Sequence, residues 1–189
     1  IDLNTNSTNL FVGLFGYIKN ASIKNLSIKG SSTIKSTVSC SIGSIAGYAL
    51  NSSITNCINE ESINCTINIS GSAPSCNVGG IAGYLNATVI DSCYNYGAIS
   101  GSTQSNKSSG TAISYVGGIT GYMNSSSSIS NSINNGTIKG LCKGFHGSYT
   151  SGNTTTSYSM NAQSRAGGLA GCAYSSTVSK SQNNGAVST

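Results

Sequence analysis

Apolar residues along this chain fall in short groups that alternate with polar ones, and the groups recur. Five stretches share one pattern: FVGLFGY (11–17), SIGSIAGY (41–48), NVGGIAGY (77–84), YVGGITGY (115–122) and RAGGLAGC (165–172). Each ends on a glycine followed by an aromatic residue or a cysteine. These anchor glycines are Gly16, Gly47, Gly83, Gly121 and Gly171, spaced 31, 36, 38 and 50 residues apart. Seven residues beyond the anchor (eight in the fourth copy) stands an aliphatic: Ile23, Ile54, Ile90, Ile129 and Val178. Nine residues further, in copies two to five, stands another: Ile63, Ile99, Ile138 and Val187. Between the two lies a turn, plainest as Asn95-Tyr96-Gly97, Asn134-Asn135-Gly136 and Asn183-Asn184-Gly185. The first copy is shortened to IKNLSIKG (23–30). The unit predicts a strand, a turn, a strand, an Asn-Gly turn and a short strand, followed by a connection of varying length.

A unit this small and polar cannot bury its own apolar face. Stacking near-identical units buries those faces on one another, and fixed-period self-similarity is the mark of such an array. The pattern therefore predicts an all-β fold, a right-handed parallel β-helix (β-solenoid) of about five turns with loop insertions and no capping helix. One solenoid domain is expected over 1–189, with repeats near 11–30, 41–64, 77–101, 115–140 and 165–188 and a long insertion at 139–164. Ile23, Ile54, Ile90, Ile129 and Val178 should form one apolar file, and Tyr17, Tyr48, Tyr84 and Tyr122 an aromatic column that Cys172 interrupts. The paired glycines, such as Gly79-Gly80, mark tight corners or close backbone approach, and the asparagines suit turns because they tolerate left-handed backbone. A β-sandwich built of hairpins is the competing arrangement, since Asn-Gly between apolar runs is also a hairpin signal.

Composition narrows the picture. Asn, Ser and Thr together make 77 of 189 residues, Gly adds 24, and charged residues make only 7 %. Strong helix formers are scarce, which excludes a helical bundle and a doubly wound α/β fold. Recurrent Ile, Val and Tyr argue against disorder. No run approaches 18 consecutive apolar residues, so no membrane-spanning helix is expected. The formal charge of +5 rests on scattered lysines with no basic run or basic-aromatic patch, so nucleic acid is not an expected partner. The chain starts at Ile1 without Met or a signal-peptide pattern, which suggests a processed product or a piece of something longer.

The pattern GGIAGY…I.NC.N.G.I resembles the GLUG-type repeat, named for a Gly-hydrophobic-Gly core and found in large cell-surface proteins. The resemblance covers all five copies. It implies an extracellular, repetitive, adhesin-like or fibre-like protein, and it brings no catalytic residues. The chain departs from the pattern in its degenerate first copy and in the insert at 139–164.

Seven cysteines add possible chemistry. Cys40 and Cys76 each lie seven residues before an anchor, and Cys57 and Cys93 each ten after one. In-register stacking would put each pair on neighbouring turns about 4.8 Å apart, inside the Cα window for a disulfide. Reduced cysteines acting as small apolar groups are the alternative. Cys65 and Cys142, placed in the variable connections, and Cys172 are left over as free thiols or as bonds to a neighbouring subunit. No C-x-x-C occurs and His146 is the only histidine, so no metal or other cofactor is expected. Eleven sequons, at Asn6, Asn20, Asn25, Asn51, Asn64, Asn68, Asn86, Asn106, Asn124, Asn135 and Asn153, suit a secreted glycoprotein.

Enzymatic carboxylate pairs are not offered. Asp2, Glu60, Glu61 and Asp91 are the only acidic residues, Glu60 and Glu61 point to opposite faces of a strand, and Asp91 sits at a different offset from its anchor. The chain reads as a non-enzyme. The first repeat starts within about ten residues of Ile1 and the last reaches Val187, with no covering segment, and uncovered end turns expose strand edges that recruit further strands. The expected function is a structural subunit of an extracellular fibre or cell-surface layer, with copies of itself as head-to-tail partners. The alternative is a fragment of a large surface adhesin that binds glycans or host proteins, with Tyr94, Tyr96, Tyr115, Tyr149, Tyr158 and Tyr174 as surface platforms.

Overall fold

A computed structural model of the chain describes residues 2–3, 9–69, 74–105, 111–144, 146–151, 154–159 and 161–189. Four sheets of parallel strands run along the molecule, and each copy contributes to all four. The first sheet stacks Asn9–Val12, Ser39–Gly43, Ser75–Gly79, Thr111–Gly117 and Asn161–Gly167. The second stacks Phe15–Lys19, Ala46–Leu50, Ala82–Asn86, Thr120–Asn124 and Ala170–Ala173. The third holds the three-residue strands Ser22–Lys24, Ser53–Thr55, Val89–Asp91, Ser128–Ser130 and Thr177–Ser179. The fourth begins with Asp2–Leu3, which pairs with the end of the long strand Ser27–Ser36, and continues with the long strand Ile58–Ile69. Later coils split this course in two, as in Tyr94–Asn95 followed by Ile99–Ser105. This is the arrangement of a parallel β-solenoid, and no helix occurs among the described residues.

The register is the one the repeat predicts. Ile23 pairs with Ile54, Ile54 with Ile90, Ile90 with Ile129, and Ile129 with Val178. Ile63, Ile99, Ile138 and Val187 form a second file. Ile54, Ile90 and Ile129 are therefore covered above and below by their own counterparts, and all three are fully buried. Burying one Ile contributes about 1.5–3 kcal/mol. The hairpin alternative is not what forms: the antiparallel pair His146–Ser151 with Thr154–Ser159, inside the 139–164 stretch, stands apart from the four sheets.

The interior has two apolar compartments. One gathers Ile45, Ile81 and Ile119 with Ile54, Ile90 and Ile129 between the second and third sheets. The other lies between the first and fourth sheets and holds Ile34, Ile42, Ile63, Ile67, Val78, Ile99 and Val116 with Cys40, Cys65 and Cys76. At Gly80 the coils approach too closely for a side chain, since a Cβ there would lie 2.2 Å from the Gly118 carbonyl oxygen.

Polar residues enter this interior as ladders. Asn59 Nδ2 donates to Asn95 Oδ1 at 2.7 Å, Asn95 to Asn134 at 2.6 Å, and Asn134 to Asn183 at 2.7 Å. Each Nδ2 also donates to the carbonyl two residues on, at 2.8–3.0 Å. The side chains of Asn59, Asn95 and Asn134 are fully buried. The asparagines of the Asn-Gly turns are thus ladder residues, not left-handed corners. Left-handed backbone occurs instead at the two corners that flank the third sheet, in all five coils: at Asn20, Asn51, Ala87, Ser125 with Ser126, and Ser175, then at Asn25, Asn56, Ser92, Asn131 and Lys180.

Candidate functional site

Three features carry potential chemistry: the aromatic column, the interior thiols and the outer coils. Tyr17, Tyr48, Tyr84 and Tyr122 stack face to face with centroids 5.3, 4.8 and 5.0 Å apart. Cys172 takes the next place, paired with Tyr122. Asn86 and Asn124 donate to the hydroxyls of Tyr48 and Tyr84 at 3.2 and 2.9 Å. Tyr48 and Tyr84 spend both faces on their neighbours, Tyr17 at the column's end is 49 % exposed, and Tyr115 meets Tyr122 edge-on at 5.2 Å. A sugar stacks on an exposed ring face, so the inner rings Tyr48 and Tyr84 offer edges rather than platforms. Burial raises the Tyr84 and Tyr122 phenols above their ordinary pKa, and neighbouring ionisable groups add to this. Of the other tyrosines named above, Tyr96 and Tyr174 are exposed, Tyr94 and Tyr115 are half-buried, and the side chains of Tyr149 and Tyr158 lie outside the described residues.

All seven cysteines are free thiols in this structure. Cys40 and Cys76 are Cα partners on adjacent strands of the first sheet, as the spacing predicts. Cys65 is the surprise. It belongs not to a connection but to the strand Ile58–Ile69, and it projects fully buried into the core, so it cannot serve as a bond to another subunit. Its sulfur lies 3.5 Å from that of Cys40 and 3.3 Å from that of Cys76. Hydrogen bonds from Cys65 and then Cys76 draw the Cys40 thiol down to about 5 against the opposing effect of burial. The hydrogen bond to Cys40, with burial, pushes Cys65 and Cys76 well above the ordinary thiol range.

Cys57 and Cys93 follow a different logic. Their thiols donate to carbonyls two residues back, Cys57 to Thr55 at 3.3 Å and Cys93 to Asp91 at 3.4 Å. Ser132 and Ser181 make the same bond in the next two coils, to Ser130 and Ser179 at 2.8 and 2.7 Å. The two cysteines stand in a hydroxyl ladder, each filling the place of a serine. Cys142 is half-buried with its sulfur on the Ala112 carbonyl at 3.1 Å, and burial raises its pKa. Cys172 is likewise only partly covered.

Among the described side chains, Asp91 stands apart from Glu60 and Glu61. Asp91 accepts from Ser130, Asn131 and Ser92 at 2.6, 2.7 and 2.9 Å, and these bonds lower its pKa. It stands in the third sheet, while Glu60 and Glu61 stand in the fourth, with Glu60 on Lys29 at 3.0 Å and Glu61 accepting from Ser32. The side chains of Asp2 and His146 lie outside the described residues. So do the sequons Asn6, Asn106 and Asn153. Asn20, Asn25, Asn51, Asn64, Asn68 and Asn135 are exposed. Asn86 and Asn124 are half-buried, and their amides are already engaged by the tyrosine column.

The outer coils differ from the inner ones at equivalent positions. Leu14 is 56 % exposed where its counterparts Ile45, Ile81 and Ile119 are fully buried. At the other end Val178 is 42 % exposed where Ile129 is fully buried, and Val187 is 41 % exposed where Ile138 is 1 % exposed. Three apolar files that are covered inside the molecule are thus open at one end each, the Leu14 file at the first coil and the Val178 and Val187 files at the last, while Ile23 and Leu169 at the opposite ends of two of them are half-buried. Comparison with family models, curated proteins and solved structures gives no match for this chain.

Proposed function

We propose that this chain is a structural, non-enzymatic subunit of an extracellular fibre or cell-surface layer, built by end-to-end stacking of solenoid coils. The observation that carries the reading is the opening of the Leu14 and Val178 files at the two outer coils. A further coil would cover those residues as each inner coil is covered, and would extend the four sheets by the same parallel hydrogen bonding. The contact is heterologous, because one end meets the opposite end of the next copy, so it propagates instead of closing. The exposed sequons and the GLUG-like repeat support placement outside the cell, and the separated carboxylates support a role without catalysis.

The same open files also fit coils of a longer adhesin, so the test must separate the two. Light scattering and negative-stain microscopy of the purified 189-residue chain are expected to show linear assemblies that grow with concentration. Val178→Asp, which sets a charge on the open file, should leave single rods. Wild-type chain that remains monomeric at high concentration under oxidising conditions would overturn the fibre and favour the longer protein.

A further inference from the structure

Three buried sulfurs converge between the first and fourth sheets. Cys40 and Cys76 sit side by side on parallel strands, and Cys65 enters from the opposite sheet. The three sulfurs lie within 4.8 Å of one another, with Cys40 only 3 % exposed and the other two fully buried. Two chemistries fit such a spacing. A soft metal ion would take all three as thiolates. That would leave net negative charge in an apolar compartment, and no Lys, Arg or His is buried among the described residues to offset it. A disulfide beside a thiol is neutral and carries no such cost.

Geometry then selects the partners. Neighbours in register on parallel strands project their side chains in the same direction, so Cys40 and Cys76 flank one another, whereas Cys65 faces both. The shorter contact, 3.3 Å, is the one to Cys76. We propose that Cys65 and Cys76 form a disulfide across the core, tying the second coil to the third, with Cys40 as a resident thiol beside it. The Cys40–Cys76 pairing expected from spacing alone gives way to this bond.

The bond forms during folding, before the third coil seals the site. One of the two cysteines, as thiolate, attacks a low-molecular-weight disulfide such as oxidised glutathione and expels one glutathione thiolate. The other cysteine thiolate then attacks the protein sulfur of that mixed disulfide and expels the second. Two protein thiols are oxidised, one small disulfide is reduced to two thiols, and the two protein protons end on the released glutathione. The chemistry needs the oxidising surroundings of the extracellular reading but not its end-to-end contact, so the two can fail separately.

The test refolds the reduced full chain in a glutathione redox buffer, blocks remaining thiols, and maps the digest by mass spectrometry without reduction. The expected result is Cys65 linked to Cys76 with Cys40 alkylated. In Cys76→Ser the bond should move to Cys40–Cys65. In Cys65→Ser neither Cys40 nor Cys76 should be bridged to the other, and the thermal midpoint should match that of reduced wild-type chain. If that variant does not fold, Cys65→Ala serves in its place, and the wild-type map decides alone. A predominant wild-type link other than Cys65–Cys76, complete alkylation of all three, or one metal ion retained per chain in native mass spectrometry would overturn the proposal.

Discussion

Asn95 shows how a chain with so many small polar residues makes an interior. Its amide donates to Asn134 and to the Gly97 carbonyl while its oxygen accepts from Asn59, so one side chain satisfies groups in three coils. Removing it leaves buried partners unpaired, which costs about 1–3 kcal/mol for each such group. Asn95→Ala is therefore expected to lower the urea unfolding midpoint markedly, whereas Asn184→Ala, on the exposed side of the same kind of turn, should leave it nearly unchanged. Ala87 makes the opposite case. It holds φ at +47°, a left-handed conformation that a non-glycine residue adopts at a cost of roughly 1–2 kcal/mol. Ala87→Gly should raise stability by up to about 1 kcal/mol in the same assay, the gain reduced by the extra freedom glycine has in the unfolded chain. The Asn95 site was partly visible in the sequence, since Asn59, Asn95 and Asn183 share one offset from their anchors. Turn chemistry explains such residues equally well, and nothing in the residue types says whether an asparagine bends the backbone or points inward.

At the scale of the element, the strand register followed directly from the aliphatic files, because a one-residue slip would turn every Ile to the other face. The fourth sheet was harder to read. The long strand Ile58–Ile69 runs through a stretch that reads as a variable connection, which leaves Cys65 open as a free thiol or a bond to another subunit, whereas it lies in the core. Alternation of Ile63, Cys65, Ile67 and Ile69 was the available signal. The tyrosine column has a consequence for pH. The fold favours the neutral phenols of Tyr84 and Tyr122, whose pKa values lie above the ordinary 10.0. Their contribution to stability is complete below that ordinary value and is lost as pH rises through the folded value. Unfolding midpoints measured from about pH 8 to 11 should fall at the alkaline end. Tyr84→Phe, which cannot ionise, should show a smaller fall, while both chains keep their midpoints near pH 8.

For the whole molecule, the same contact does every job. Coil covers coil through Ile on Ile, Tyr on Tyr and Asn on Asn, and only the outermost coils leave Leu14 and Val178 open. A protein held together in this way has little reason to stop at one chain, and this is the physical content of the fibre reading. The repeat revealed the architecture because stacking demands that like positions recur. It could reveal much less about function, because covering apolar files is the task of any solenoid coil, whatever surface the assembly serves. The most direct measurement is fibre diffraction or cryo-electron microscopy of the purified chain after concentration. The account predicts filaments whose strands repeat at about 4.8 Å along the axis without a break between subunits. Separate rods of one chain each, or filaments joined side by side with Leu14 and Val178 still facing solvent, would contradict it.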